Sequence, residues 1–335
     1  MFTRHSVMHK IACRRAVLAS AAALLAVGLW QAGTGMASLR KDRPLTIVVT
    51  FPPGGGTDLL ARKLGAALQA RTGQVVVVEN RPGASGNIGA REVAQAAADG
   101  NTLLMVNSAF AINPSVYRQL DFDPRKDFKA VFNVGTIASV LVVPQASSLH
   151  KLADALEQAR APQPLIFASC GNGTPQHLAG EMLAQATETA WQHVPYKGCG
   201  PAITAVAAGQ VPLAVVTASS AAPLLAAGRV RAIATTAAAR VGQLPEVPTV
   251  AEQGVAGFAL EQWHGLLAPA GTPDATVQHW HQALAQLLTE PALQAGLQAQ
   301  GYTLVQQSAP EFAALIAADM QRYAASARAL GLQVD

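Results

Sequence analysis

Residues 48–64 read VVTFPPGGGTDLLARKL: an apolar β-like run, three consecutive glycines, then Thr57, Asp58 and a helical pattern. A strand that turns tightly into a helix leaves the first helical N–H groups without intrahelical partners and pointing outward, which makes the turn an anion site. One glycine is enough for a plain turn, so three raise the question of a bound group. The nucleotide fingerprints do not fit. Gly54 and Gly56 have the spacing that opens a dinucleotide motif, but its third glycine falls at Leu59, and no Gly-Lys-Ser/Thr follows as a P-loop requires. Asp58, in the first turn, opposes the helix dipole favourably.

The alternation continues outward from this stretch. The β-like runs LTIVVT, QVVVVE and NTLLMVN are separated by helical patterns at 57–71 and 86–98, which predicts βαβ units and a mostly parallel sheet with helices on both faces. VVVV and LLMV are continuously apolar, as strands buried on both sides are. A second series follows, with strands PLIFAS, WQHVPY, VPLAVV and VRAIAT among helices at 149–160, 174–187, 200–208 and 220–227. Helices at about 273–288 and 310–330 close the chain. Two βα series without a fixed period predict two similar α/β lobes, with FNVGTIASVLVVP and ALEQWHGLLAP crossing between them. Open parallel sheets take ligands outside the carboxyl ends of their strands, and here those ends carry the unusual sequences.

The second such end, ENRPGASGNIGA at 79–90, holds Gly83, Gly86 and Gly89. Ser85 is no hydrolase elbow, because Gly-x-Ser-x-Gly needs a glycine where Asn87 stands; it reads as a hydrogen-bonding or helix-capping residue. ASCGNGTPQHLAGE at 168–181 and VPYKGCGP at 194–201 follow strands of the second series. His177 has no Asp or Cys at motif spacing and reads as a helix-surface or packed histidine. His279 and His281, two apart on a helix, face differently, which argues against a shared metal. Trp191, Trp263 and Trp280 read as core. Cys170 and Cys199 each follow a strand at the same edge of the second lobe; they are either a disulfide across the cleft rim or two small residues in separate turns. No motif supplies a nucleophile with its base or a metal cluster, so an exported α/β hydrolase with a dispersed triad is the enzymatic alternative.

Residues 1–37 have the three parts of a cleavable export signal: a basic start with Arg4, Lys10, Arg14 and Arg15, the apolar run AVLASAAALLAVGLW, and the small-residue end GTGMAS. The apolar run is shorter than the roughly 20 residues a spanning helix needs. Both the Sec and the twin-arginine routes stay open. The chain's formal net charge is +4, and this leader carries four Lys/Arg and no Asp/Glu, so the mature remainder is neutral. It also lacks basic clusters with interleaved aromatics, the electrostatic footprint of nucleic-acid binding.

FPPGGGTDLLAR, ENRPGASGNIGA, GNGTPQHLAGE, VPYKGCGPAIT, LPEVPTVAEQG and GLLAPAGTP stand in one order along the chain. In that order and at about that spacing they resemble the Bug-type substrate-binding proteins of tripartite tricarboxylate transporters, over essentially all of the mature length. The resemblance implies an α/β, two-lobed periplasmic binding protein (type II-like) with its ligand cleft between lobes, lobe 1 being 38–141 plus 263–335 and lobe 2 being 142–262. It implies a monomer in the periplasm, with no catalysis, cofactor or metal, that delivers a small organic carboxylate to membrane permease subunits. A sensor that docks on a histidine kinase is the alternative within the class.

The carboxylate is then expected on backbone amides and ordered water of the first-lobe loops, at Phe51, Gly54, Gly55, Gly56, Thr57 and Asp58 and at Ala84, Ser85 and Gly86, with Ser108 after the third strand. Asn172, Gly173 and Thr217 would meet the distal end. Many relatives carry Phe-Asp and then Pro-Ser near that last strand end, where this chain has VVTASS at 215–220. A missing acid removes a partner for an ammonium group, so a dicarboxylate, hydroxycarboxylate or aromatic acid is expected rather than an amino acid.

Overall fold

The computed structural model describes residues 43–334, and the expected export signal at 1–37 lies outside them. Strands β1 (Leu45–Val49), β2 (Val76–Asn80) and β3 (Thr102–Asn107) pair in parallel in the order β2-β1-β3. Helices Gly56–Thr72 and Asn87–Ala94 make the crossovers. Leu45, Ile47, Val48 and Val49 are all buried although they alternate in direction, because helices cover both faces of the sheet. In the second series, β5 (Leu165–Ser169), β6 (Trp191–Pro195) and β7 (Leu213–Thr217) are parallel in the order β7-β5-β6. Helices Pro175–Thr187 and Cys199–Ala207 connect them.

The two parallel groups are joined by antiparallel strands, so each half is more mixed than the expected mostly parallel sheet. β4 (Phe128–Pro144) runs antiparallel first to β9 (Glu261–Pro269) and β10 (Tyr302–Leu304), then to β7 and β8 (Val230–Thr235). β9 also pairs antiparallel with β3. The continuous order is β2-β1-β3-β9-β4-β7-β5-β6, and the changeover on β4 falls between Ala138, opposite Glu261, and Ser139, opposite Thr217. The two segments expected to cross between lobes lie in β4 and β9. A continuous apolar run reports burial on both faces but not the direction of the partner strand, so this polarity is invisible in the pattern. Near the changeover, Gly135 sits at φ +149° with the Thr303 carbonyl against its α-carbon, a position with no room for a side chain.

The core is built where those long strands meet the last helix. The Trp263 indole N–H on β9 donates to Asp319 Oδ2 at 2.8 Å, and its ring packs edge-on to Phe312, both partners belonging to helix Ala309–Ala329. Trp280 is likewise buried and donates to the Gly100 carbonyl at 2.8 Å. A buried indole needs such an acceptor. Trp191 is half-buried, edge-on to Phe167.

Gly265 on β9 lies beneath Phe312, and an added Cβ would overlap that ring and come within 2.8 Å of the Phe132 carbonyl. Gly265→Ala is therefore expected to destabilise the fold by about 1–3 kcal/mol, read as a lower urea midpoint at unchanged slope; an unchanged midpoint would contradict this packing.

Candidate functional site

The three glycines have three separate jobs. Gly54 adopts φ +80°, and its N–H donates to Asp58 Oδ2 at 2.9 Å. Gly55 is the N-cap of helix Gly56–Thr72 and has no side chain with which to cap it. The missing acceptor comes from far along the chain: Gly56 N–H donates to Ser220 Oγ at 3.1 Å. A Cβ on Gly56 would run into Ser219 Oγ and lie 3.2 Å from Thr217 Oγ1. The third glycine thus permits the close approach of the second lobe.

Asp58 is fully engaged within its own lobe. It accepts from Gly54 N–H, from Arg62 Nε at 3.1 Å and from Asn80 Nδ2 at 2.9 Å, and it pairs with Arg62 Nη2 at 3.0 Å. Burial works against its ionisation, but the hydrogen bonds from Arg62, Gly54 and Asn80 outweigh it and hold the carboxyl below the ordinary range. Its carboxylate braces the glycine loop. Thr57 Oγ1 lies 3.1 Å from Nε2 of His264, a ring with no exposed surface on β9.

The second loop is bent the same way at four successive residues: Gly83, Ala84, Ser85 and Gly86 all have positive φ, from +46° to +130°. Two of these are not glycine, a costly geometry that persists only when its surroundings impose it. Asn113 imposes it here, donating to the Ser85 carbonyl at 3.0 Å and to Asn87 Oδ1 at 2.7 Å. Ser85 caps nothing, since Gly86 is the N-cap of helix Asn87–Ala94; its hydroxyl instead donates across to the Asn172 carbonyl. Tyr117 also reaches that carbonyl, at 3.5 Å. Ser108 is completely buried and accepts from the Trp263 N–H at 2.9 Å, while its neighbour Asn107 faces the cleft.

In the second lobe, Cys170 and Cys199 are joined by a disulfide with Cα atoms 4.3 Å apart. Gly198 N–H donates to the Cys170 carbonyl at 3.1 Å and Tyr196 N–H to the Ser169 carbonyl at 3.2 Å, so the loops after β5 and β6 form one wall. Gly173 N–H donates to His177 Nδ1 at 3.2 Å, and the His177 ring stacks on His193 at 3.8 Å, a packed histidine that holds the Asn172 loop. Ser169 Oγ lies 2.6 Å from His193 Nε2, the composition of a hydrolytic dyad. Ser169 has no exposed surface, however, and its oxygen also accepts from Gly171 N–H at 3.1 Å. Burial, then the adjacent His177, push the His193 pKa down to about 3.

These loops enclose two contiguous spaces. The inner one, of about 20 Å³, is room for one water. Phe51, Gly55, Gly56 and Thr57 line it from the first lobe, and Cys170, Gln176, Cys199 and Thr217 from the second. No charged side chain is among its described lining residues. Four helices begin there: Gly56–Thr72, Pro175–Thr187, Cys199–Ala207 and, N-capped by Thr217, Ala218–Ala226. Each N-terminus carries partial positive charge and N–H groups without intrahelical partners, so the spot attracts an anion without a cationic side chain. The outer space, of about 490 Å³, lies between Ala84, Ser85 and Gly86 on one side and Asn172 and residues 195–198 on the other. Gly54, Asp58, Ser108 and Gly173 stand behind these walls. Asn107 and Tyr117 join them without any motif to mark them, and Gln176 and Lys197 join them from inside two of the quoted motifs; the i, i+4 spacing of Asp58 and Arg62 is a readable sign of an internal ion pair.

Two α/β halves sharing long strands, with loops from both meeting over an uncharged cleft of helix N-termini, define the class of two-lobed solute-binding proteins. Residues 60–332 match the family described as tripartite tricarboxylate transporter family receptor, and this chain belongs to that family. Protein BugT of Bordetella pertussis (strain Tohama I) is 33% identical over 319 residues, covering 93% of this chain and 98% of BugT. The solved structure of R. palustris Rpa4515 with adipate shares 33% identity and a TM-score of 0.85, over 87% of this chain and 99% of that one. MatC from Rhodopseudomonas palustris with bound malate shares 28% identity and a TM-score of 0.78, over 85% and 98%. The resemblance carried by the six motifs holds.

Two measurements check the geometry. Alkylation of the denatured protein should label Cys170 and Cys199 only after reduction; labelling without reductant would contradict the bridge. Burial pushes the His264 pKa down to about 3, so as pH falls the unfolded chain takes up this proton first. Its contribution to stability is complete above the unfolded value of about 6.5 and is lost toward pH 3, at about 1.4 kcal/mol per pH unit. His264→Gln should flatten the stability profile between pH 6 and 4.5 by roughly that slope; parallel profiles would show that His264 is protonated in the native state.

Proposed function

We propose that this chain is an extracytoplasmic receptor that closes its two lobes, 38–141 plus 263–335 and 142–262, on a small organic carboxylate and presents the closed form to a tripartite permease. Export would follow from the leader at 1–37, by the Sec or twin-arginine route, and the receptor would act as a monomer in the periplasm. The observation that carries the reading is the convergence of four helix N-termini on a space with no charged side chain in its described lining. A carboxylate placed there, or in the adjoining outer space against the amides of Ala84 and Ser85, gains N–H donors and a favourable dipole field from a prebuilt site. The ligand would bridge both lobes and so stabilise the closed form over the open one.

The class of acid favoured here rests on what the cleft lacks. No Asp or Glu is among the described residues lining either space, so an ammonium group would find no counter-charge. A dicarboxylate, hydroxycarboxylate or aromatic acid is favoured over an amino acid. The relatives solved with adipate and with malate are consistent with this class.

A thermal-shift panel of amine-free acids, amino acids and carboxylate esters tests the reading. At least one amine-free acid should stabilise the protein, by about 2.7 kcal/mol at a hundredfold excess over Kd, and no ester should turn over. Stabilisation by aspartate or glutamate alone, or release of product from an ester, would overturn it. Gly56→Ala keeps an ordinary helical backbone but adds a methyl group against Ser219 and Thr217. It should weaken the same acid by roughly tenfold or more, about 1.4 kcal/mol.

A further inference from the structure

The outer space is far larger than one carboxylate needs, and its chemistry is lopsided. Its walls are mostly apolar or backbone, with Phe51, Ile88, Tyr117 and Tyr196 among them. Lys197 is the one charged side chain among its described lining residues. That amine has no hydrogen bond or ion pair with any described residue, whereas Lys63 donates to the Gly296 carbonyl, Lys126 pairs with Asp123 and Lys129 pairs with Asp274. The backbone beneath it is fixed on both sides. Tyr196 N–H is held by the Ser169 carbonyl, Gly198 N–H by the Cys170 carbonyl, and the next residue, Cys199, is tied by the disulfide. A rigid turn therefore presents a flexible, unpaired ammonium at the rim, opposite the positive-φ loop of Ala84 and Ser85.

We infer that Lys197 is the specificity-determining residue for a second anionic group on the ligand, and this rests on the receptor reading above. One carboxylate would lie toward the helix N-termini and the amides of the first lobe. An apolar or aromatic spacer would cross between the tyrosines, and a second carboxylate would meet Lys197 Nζ. Tyr117 and Tyr196 give faces for the spacer, and the aliphatic stem of Lys197 adds apolar surface while its head stays near water. The site thus selects a two-headed acid over a one-headed acid of the same shape.

Calorimetry on the full mature protein with matched probes tests this: malate against 3-hydroxybutyrate, adipate against hexanoate, and terephthalate against 4-methylbenzoate. In the wild type the doubly charged member of at least one pair should bind roughly tenfold tighter, about 1.4 kcal/mol. Lys197→Gln should abolish that preference while leaving the singly charged partner's affinity within about twofold. Lys197→Arg should retain most of the preference, and Lys197→Glu should repel the doubly charged acid. Equal affinity of wild type and Lys197→Gln for the doubly charged acid, or wild-type preference for singly charged acids, overturns the role of Lys197 and leaves the receptor intact. If the wild type binds none of the six probes, the receptor reading itself falls, and the inference with it.

Discussion

Four helix N-termini must point at one place, and much of the site follows from that constraint. Positive dipole ends and unpaired N–H groups in close apposition repel unless acceptors stand between them. In this structure hydroxyls do so: Ser220 accepts from Gly56 N–H and from the Thr217 hydroxyl at 2.7 Å, and Thr217 caps its own helix by accepting from Ser220 N–H at 3.3 Å. The approach is close enough that position 56 cannot carry a Cβ without displacing Ser219. A neutral hydroxyl is a modest partner for such a field, whereas an anion is a strong one. An uncharged lining is thereby compatible with an anionic ligand, and a desolvated arginine is not required.

Apart from Asp58, whose buried carboxylate is paired with Arg62, the polar groups around this centre are neutral where they are buried. Gln176 donates to Ser139 Oγ at 2.9 Å and to Gln262 Oε1 at 3.2 Å, tying the start of a second-lobe helix to β4 and β9 where the lobes join. His264, at the base of the cleft, is kept neutral by burial. Buried charge would be costly here, and a network of amides and hydroxyls joins the lobes without that cost. Charge reappears at Lys197, on the exposed side of the outer space.

The parts of this arrangement legible in the sequence are those written locally. The βα alternation, the glycine turns at 54–56 and 83–86, and the six ordered motifs each depend on neighbours in the chain, and they led to the right family. What stayed hidden depends on partners far away. VLVV on β4 could not reveal that its partner strands run antiparallel, and nothing around Ser108 tells that it accepts from Trp263 rather than facing a ligand. The resemblance puts Asp58 among the ligand contacts through the backbone amides of its loop, and Arg62 one turn on is the local sign that its carboxylate is occupied. Tyr117 enters the cleft from the end of helix Ala109–Val116, a position that no motif marks, and only the folded chain brings it to Asn172.

The central claim is that one cleft, between the loops of the two lobes, holds a small carboxylate. Hydrogen exchange with and without the most stabilising acid tests it most directly, because it reads the backbone amides assigned to the site. The account predicts slowed exchange at 54–58, 83–87 and 170–173, together with 196–200, on ligand addition. Protection confined to the separate surface pocket that includes His281, Thr289 and Ser308, with those four loops unchanged, would contradict it.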